Sequence, residues 1–470
     1  MKSNQQKQEQ KQNSEAIIIR GGTIATLGEH NKVLRDHALI IECGKVQKII
    51  PEKELFEGNF LSQEYSEIWS QITILNASGK VVMPGFINAH MHFYSSFARG
   101  LIKADPSKNF SEVLTNLWWR LDRKLSAEDN YLSAMVALID AIKKGTTTLI
   151  DHHASPFSAK GSLFEIAKAV KESGLRASLC YELSDRDGEK VAQNGIQENL
   201  DFMKWVQSGQ EGDQLRALFG MHASFTIEDK TLKSAVEQAR ALDHKCGFHI
   251  HCAEDLSDQE ITQKKFGVRV VERLERAGIL GPTTICGHAI HLNDHEMDLL
   301  RKSDTIVVHN PQSNMNNSVG VANTLKLLEK GILVGLGTDA MTVNMLEELR
   351  SAVWVQRLFQ KHPNVAFIES YNLLINNNRQ IANRFWTNTP LGELKVGAAA
   401  DVVLIDYDPP TTMDESNFAG HLIFGLAEST VDTTIANGKI VMKSKELLGL
   451  DSESIMAHSR EVANKLWNRF

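Results

Sequence analysis

Cysteine is scarce and unpatterned in this chain. Cys43, Cys180, Cys246, Cys252 and Cys286 are the five cysteines among 470 residues, an odd number with no Cys-x-x-Cys spacing. That argues against a disulfide framework and fits reduced thiols in a cytoplasmic protein. Long apolar runs are also lacking: none approaches the ~18 residues of a membrane span. Basic charge is not in excess, because the formal net charge is −7, so a nucleic-acid surface is not expected. Residues 1–14 are rich in Gln and Lys, without the apolar core of a secretory signal, and read as a disordered tail. What remains is a chain with the 42% hydrophobic content of an ordinary globular protein, long enough for one large domain and a smaller one.

The two ends share a rhythm. Residues 17–50 alternate apolar runs with turn signals such as Gly21-Gly22 and Cys43-Gly44-Lys45, which predicts several short antiparallel strands. Residues 400–442 do the same, with Asp401-Val-Val-Leu-Ile-Asp406, the run Val431 to Ile435, and the turn Asn437-Gly438 before Lys439-Ile-Val-Met442. We expect 15–80 and 388–450 to form one composite β-sandwich, with 81–387 inserted between them and a terminal helix over 451–470. In the insert, short β-branched runs alternate with helical stretches. Candidate strands end at His90–His92, Asp151, Glu182, His222, His251, His288, His309 and Asp339. This is the α/β pattern of a (β/α)8 TIM-type barrel, whose catalytic groups stand at the C-terminal strand ends.

The strand ends carry a metal-binding chemistry. His90 and His92 close Pro84-Gly-Phe-Ile-Asn-Ala-His90-Met-His92, and residues i and i+2 of a strand point to one face. Phe248-His-Ile-His-Cys-Ala-Glu254-Asp255 adds His249 and His251. His251 is the expected ligand, because His251-x-x-Glu254 brings an acid beside it. His249 reads as a buried histidine hydrogen-bonded lower in the barrel. Cys286-Gly-His288-Ala-Ile-His291 and Gly335-Leu-Gly-Thr-Asp339 end later strands. His90, His92, His251 and Asp339 make an N3O set with a position left for water. A bound ion lowers the pKa of that water to about 7 and yields hydroxide. Asp339 accepts its proton, Glu254 protonates the leaving nitrogen, and His288 stabilises the developing oxyanion.

These motifs, with His309-Asn-Pro and Gly397-x-x-Ala400-Asp401, make the chain resemble the amidohydrolase superfamily over nearly its whole length. Within it the pattern is similar to the aminohydrolase branch of guanine, cytosine and S-adenosylhomocysteine deaminases and triazine hydrolases. Leu117-Trp-Trp-Arg-Leu-Asp122, Asp151-His-His-Ala-Ser-Pro156 and His309-Asn-Pro-Gln-Ser-Asn-Met-Asn-Asn317 are closer still to the aminohydrolases called SsnA. The resemblance implies His90, His92, His251 and Asp339 as metal ligands, Glu254 as proton shuttle and His288 as the polarising histidine. It places His222 as a substrate contact. The fourth strand end carries His222 where binuclear relatives have a bridging lysine, which implies one ion, zinc or iron(II). Glu254 itself favours an amine leaving group over chloride. A homodimer or larger homo-oligomer is also implied.

The substrate readers are less sharply marked. His152 and His153 follow Asp151, and each either faces the site or packs against a loop. Glu182 either accepts hydrogen bonds from a ring or pairs with Arg186. His309, Asn310, Ser313, Asn314 and Asn316 offer imidazole, amide and hydroxyl groups. Trp118 or Trp119 either roofs the site or packs between helix and barrel. Trp118, His153, Glu182, His222, His309 and Asn314 are the candidate substrate contacts. Together these features suggest hydrolytic deamination of a small planar nitrogen heterocycle, purine-like, with ring opening of a cyclic amide or ureide as the alternative. A chlorohydrolase and a non-catalytic scaffold are the remaining readings.

Overall fold

The computed structural model describes residues 16–56, 72–209 and 212–470. The tail expected over 1–14 lies outside them. The chain divides into two compact units.

The first unit holds the described part of 1–86 together with Ile142–Thr147 and Trp386–Leu448. Its four-stranded sheet runs in the order Lys45–Pro51, His37–Glu42, Ala16–Arg20, Ile72–Asn76. A seven-stranded sheet has Val402–Asp406 at its centre, antiparallel to both Lys80–Pro84 and Thr430–Ala436. Strand alternation explains the apolar run at 17–19. Ile17 and Ile19 join Leu39, Ile41, Val82, Val402, Leu404 and Ile435 in one buried core. Ile18 points the other way, to Ala38, Ile40 and Leu55. Asn437 and Gly438 have φ of 52° and 73°, the pair of positive values that a two-residue hairpin turn requires.

One boundary differs from the sequence reading. Val81–Met83, expected to open the 81–387 insert, is not part of the strand that carries His90. It lies within Lys80–Pro84, a strand of the seven-stranded sheet, and the next strand is Phe86–Met91. The break falls at Gly85, where a Cβ would stand 2.3 Å from Thr147 Oγ1. The unit boundary accordingly follows Phe86 rather than 81.

The second unit comprises Ile87–Ala141, Thr148–Phe385 and Gly449–Phe470. Two sheets of short strands run through it. One has the order Leu215–Ala217, Arg176–Leu179, Thr146–Asp151, Phe86–Met91. The other has Phe219–Ala223, Phe248–Cys252, Ile285–His288, Ile306–His309, Val334–Leu336, all parallel. Isolated parallel bridges join Met91 to Asp339 and Leu183 to Met221. Glu182 and Asp339 lie three residues beyond the strands that they were expected to end. The stretch after His92 is not a plain loop. It holds a 3-10 turn at Phe93–Ala98 and a helix from Phe110 to Asp122 with a π turn at Leu114–Trp118. The terminal helix Ser452–Arg469 is capped by Asp451 and buries Val462 and Leu466 against Tyr94, Phe97, Leu121 and Leu132. Among the described residues no helix is long and apolar enough to cross a membrane.

Candidate active site

His90, His92, His251, His288 and Asp339 meet, all buried, at the ends of the parallel strands. Ligating atoms of His90, His251, His288 and Asp339 lie within 4.8 Å of one another. His92 Nε2 is 2.8 Å from Asp339 Oδ1 and 3.2 Å from His251 Nε2, and His90 Nε2 is 3.5 Å from the same Asp339 oxygen.

Backbone hydrogen bonds bring them together. The His90 carbonyl accepts from Thr338 N at 2.9 Å and Asp339 N at 3.0 Å, and His92 N donates to the Asp339 carbonyl at 3.3 Å. Asp339 and His288 adopt the left-handed backbone, with φ of 52° and 69°. That conformation costs a non-glycine residue on the order of 1–3 kcal/mol, and around Asp339 these bonds to His90 and His92 hold it. The Asp339 carboxylate is fixed in turn by Ser313, whose hydroxyl donates to Oδ2 at 2.5 Å.

Each ring is also held at Nδ1. His92 Nδ1 lies 2.5 Å from the His152 carbonyl, His251 Nδ1 3.0 Å from the His222 carbonyl, and His288 Nδ1 2.8 Å from Asn314 Oδ1. His90 Nδ1 lies 2.8 Å from His249 Nε2. His249 is thus the buried, hydrogen-bonded histidine that its sequence position suggested.

Burial disfavours charge on all these rings. It prevails at His90 and His251 and brings His288 down to about 4. At His92 the Asp339 and Glu182 carboxylates outweigh burial and raise the ring well above its ordinary value. Burial pushes Asp339 upward, but the His90 and His92 rings against it, with the charge of His92, hold it well below the usual carboxylate range. Glu254 goes the opposite way: burial, then the nearby charges of Asp339 and Asp258, raise its carboxyl well above that range. Its Oε2 is 3.6 Å from His288 Nε2.

This donor set fits a divalent ion. Nε2 of His90 and Nε2 of His288 are buried with no hydrogen-bond partner. The uncharged imidazole nitrogens of His90, His251 and His288 beside the Asp339 carboxylate are a borderline-metal environment.

His92, His251, Glu254 and Asp339 open into a cavity. Phe110, Leu114, Trp118, Trp119, Phe225 and Met341 give it an apolar wall, and Glu182, His222 and Asp122 face it as polar groups. Of the candidate substrate contacts, Trp118, Glu182 and His222 line this cavity. His153, His309 and Asn314 are not among the lining residues. His153 Nε2 pairs with Ser155 Oγ at 2.9 Å and its ring meets Tyr94 edge-on. His309 is only 1% exposed. Asn314 is turned toward His288.

Sequence reasoning offered Trp119 only as an alternative to Trp118 and passed over Asp122. Asp122 follows Trp118 by four residues, a spacing that shares one helix face, so a signal was present. Its partner was not legible: Arg186 reaches Asp122 from 64 residues away. Burial raises Asp122 to about 6 against the pull of that guanidinium.

The model of the amidohydrolase family matches residues 81–441. The chain belongs to the amidohydrolase family. It is 30% identical over 459 residues to the 5-methylthioadenosine/S-adenosylhomocysteine deaminase of Carboxydothermus hydrogenoformans, covering 97% of this chain and 99% of that one. It is 30% identical over 455 residues to the 5'-deoxyadenosine deaminase of Methanosarcina mazei, covering 96% and 98%. In structure it is similar to an adenosine deaminase from Xanthomonas campestris solved with bound zinc, with a TM-score of 0.79, 19% identity, and 96% and 98% of the two chains covered. Within this family the strand-end histidines and Asp339 are the candidate metal centre of the chain.

Proposed function

We propose that this amidohydrolase is a metal-dependent aminohydrolase that removes the exocyclic amine of a purine-like ring, with an adenine nucleoside analogue as its substrate class. The observation that carries this reading is the convergence of His90, His92, His251 and Asp339 on one point, with the raised carboxyl of Glu254 beside it. The substrate class is supported by relatives named as deaminases of such nucleosides, aligned over nearly the full chain.

In this reading the four residues hold one divalent ion, zinc or iron(II). When bound, the ion supplies a water acidified to about neutral pH. Asp339, steadied by Ser313, accepts the proton of the attacking water. Burial raises the Glu254 carboxyl, which favours its protonated form, and it gives that proton to the nitrogen that leaves. His288 is neutral and donates Nδ1–H to Asn314, so its Nε2 is an acceptor. That suits it to orient the attacking water, a role different from the oxyanion donor suggested by sequence. Trp118 and Trp119 wall the ring, and Glu182 and His222 read its polar edge.

For the fold, the bridges Met91–Asp339 and Leu183–Met221 support closure of the parallel sheets into a (β/α)8 barrel. The apolar core shared by the two sheets of the first unit supports a composite sandwich. Five unbridged thiols support a cytoplasmic setting.

The test is a substrate screen with the zinc-loaded and iron-loaded protein on 5'-deoxyadenosine, 5-methylthioadenosine, S-adenosylhomocysteine, adenosine and guanine. The expected result is one ammonia per turnover and a shift of purine absorbance. No ammonia from any of them overturns the proposal, and loss of ring absorbance without ammonia favours ring opening.

A further inference from the structure

Four site histidines turn Nδ1 outward and Nε2 toward the centre. For three of them the Nδ1 partner is an oxygen: the carbonyls of His152 and His222, and the amide oxygen of Asn314. An oxygen of this kind only accepts, so each of these three rings carries a proton on Nδ1, and a metal can take Nε2. His90 is the exception. Its partner is His249 Nε2, at 2.8 Å, a nitrogen that donates in one tautomer and accepts in the other. Were His249 Nε2 to donate, the proton of His90 would move to Nε2, the atom that a metal needs bare.

The far side of His249 decides between the two. Its Nδ1 lies 3.7 Å from Cys180 Sγ, within reach of a sulfur hydrogen bond. The Cys180 thiol donates to the Asp151 carbonyl at 3.4 Å, so toward His249 the sulfur offers only lone pairs. His249 therefore carries its proton on Nδ1 and accepts on Nε2. His152 stacks on the His249 ring at 4.4 Å and 10°, which fixes its plane. Cys180, His249 and His90 are all 0% exposed, so water does not substitute for any member of the row.

We infer that His249, set by Cys180, is a positioning residue that locks His90 in the tautomer whose Nε2 is free for metal. This rests on the reading of His90 as a ligand. Partners of ligating histidines typically change metal affinity about 10–100-fold when lost.

The experiment measures zinc affinity of the metal-stripped protein by chelator competition, with the melting temperature of the metal-free form alongside. His249→Leu removes the acceptor, whereas His249→Gln puts an amide oxygen near the place of Nε2. The expected result is a loss of about 10–100-fold for His249→Leu and recovery of most of it by His249→Gln. Cys180→Val weakens binding, and Cys180→Ser, which still accepts, restores it. This second pair decides the matter should His249→Leu not fold. Wild-type affinity in His249→Leu, or equal loss in Leu and Gln or in Val and Ser variants, overturns the inference. A wild-type protein that binds no zinc overturns the ligand reading itself, and this inference with it.

Discussion

Glu254 and Asp339 flank one imidazole, that of His288, whose Nε2 is 3.6 Å from Glu254 Oε2 and 3.8 Å from Asp339 Oδ2. Their charge states diverge. Asp339 is stabilised as an anion by His90 and His92, and Glu254 is denied that charge by burial and by Asp339 itself. Two carboxyl groups pushed apart in this way are suited to the acid and base roles proposed for them.

Glu254→Gln keeps the shape of a protonated carboxyl but has no proton to give. Turnover is expected to fall about 10²–10⁴-fold, with metal content unchanged at one ion per chain. Steady-state kinetics beside elemental analysis checks this. Full turnover in the variant removes the proton-shuttle role.

Asn314 separates support from substrate contact. Its amide oxygen fixes His288 Nδ1, and it does not line the cavity. Asn314→Ala is expected to lower kcat about 10–100-fold, the usual effect of losing an outer partner of an active-site histidine, with KM nearly unchanged. A rise in KM at constant kcat returns Asn314 to the role first read from sequence.

The place of Asn314 shows where sequence is legible in this chain. His90, His92, His251 and Asp339 were visible because strand period and strand-end chemistry are local properties. Their supports were not, because His249–His90, Asn314–His288 and Asp122–Arg186 are contacts between separate segments. His153 and His309 were polar residues at strand ends, yet each is buried off the cavity. Alternation along a strand decides which neighbour faces the site, and a shift of one residue reverses it. Val81–Pro84 was assigned to the insert because a short apolar run followed by Pro84-Gly85 looks the same in either sheet.

Asp258 carries a pH signature of stability. Burial raises its carboxyl to about 7, although Ala253 N donates to it at 2.8 Å. The folded chain keeps this proton up to about pH 7, whereas an unfolded aspartate releases it near pH 4. The group's favourable contribution is therefore complete below pH ~4 and is lost as pH rises to ~7, on the order of 4 kcal/mol for three pH units. Asp258→Asn imitates the protonated form. Denaturant unfolding of the metal-free protein between pH 4 and 8 is expected to show a gentler decline in the variant and greater relative stability above pH 7. Parallel curves for variant and wild type count against a raised Asp258.

The metal centre can be tested without turnover. An ion that binds only the folded chain adds RT ln(1 + [L]/Kd), about 2.7 kcal/mol at a hundredfold excess over Kd. Zinc is therefore expected to raise the melting temperature of the stripped wild type, and a chelator to reverse the rise and abolish activity together. Asp339→Ala removes the carboxylate that His90 and His92 face. In that variant both the zinc-induced shift and hydrolysis should vanish, although the metal-free fold persists. If Asp339→Ala hydrolyses substrate at the wild-type rate, or melts higher with zinc by the wild-type amount, the carboxylate is not part of the centre and the ligand set must be drawn from His90, His92, His251 and His288 alone.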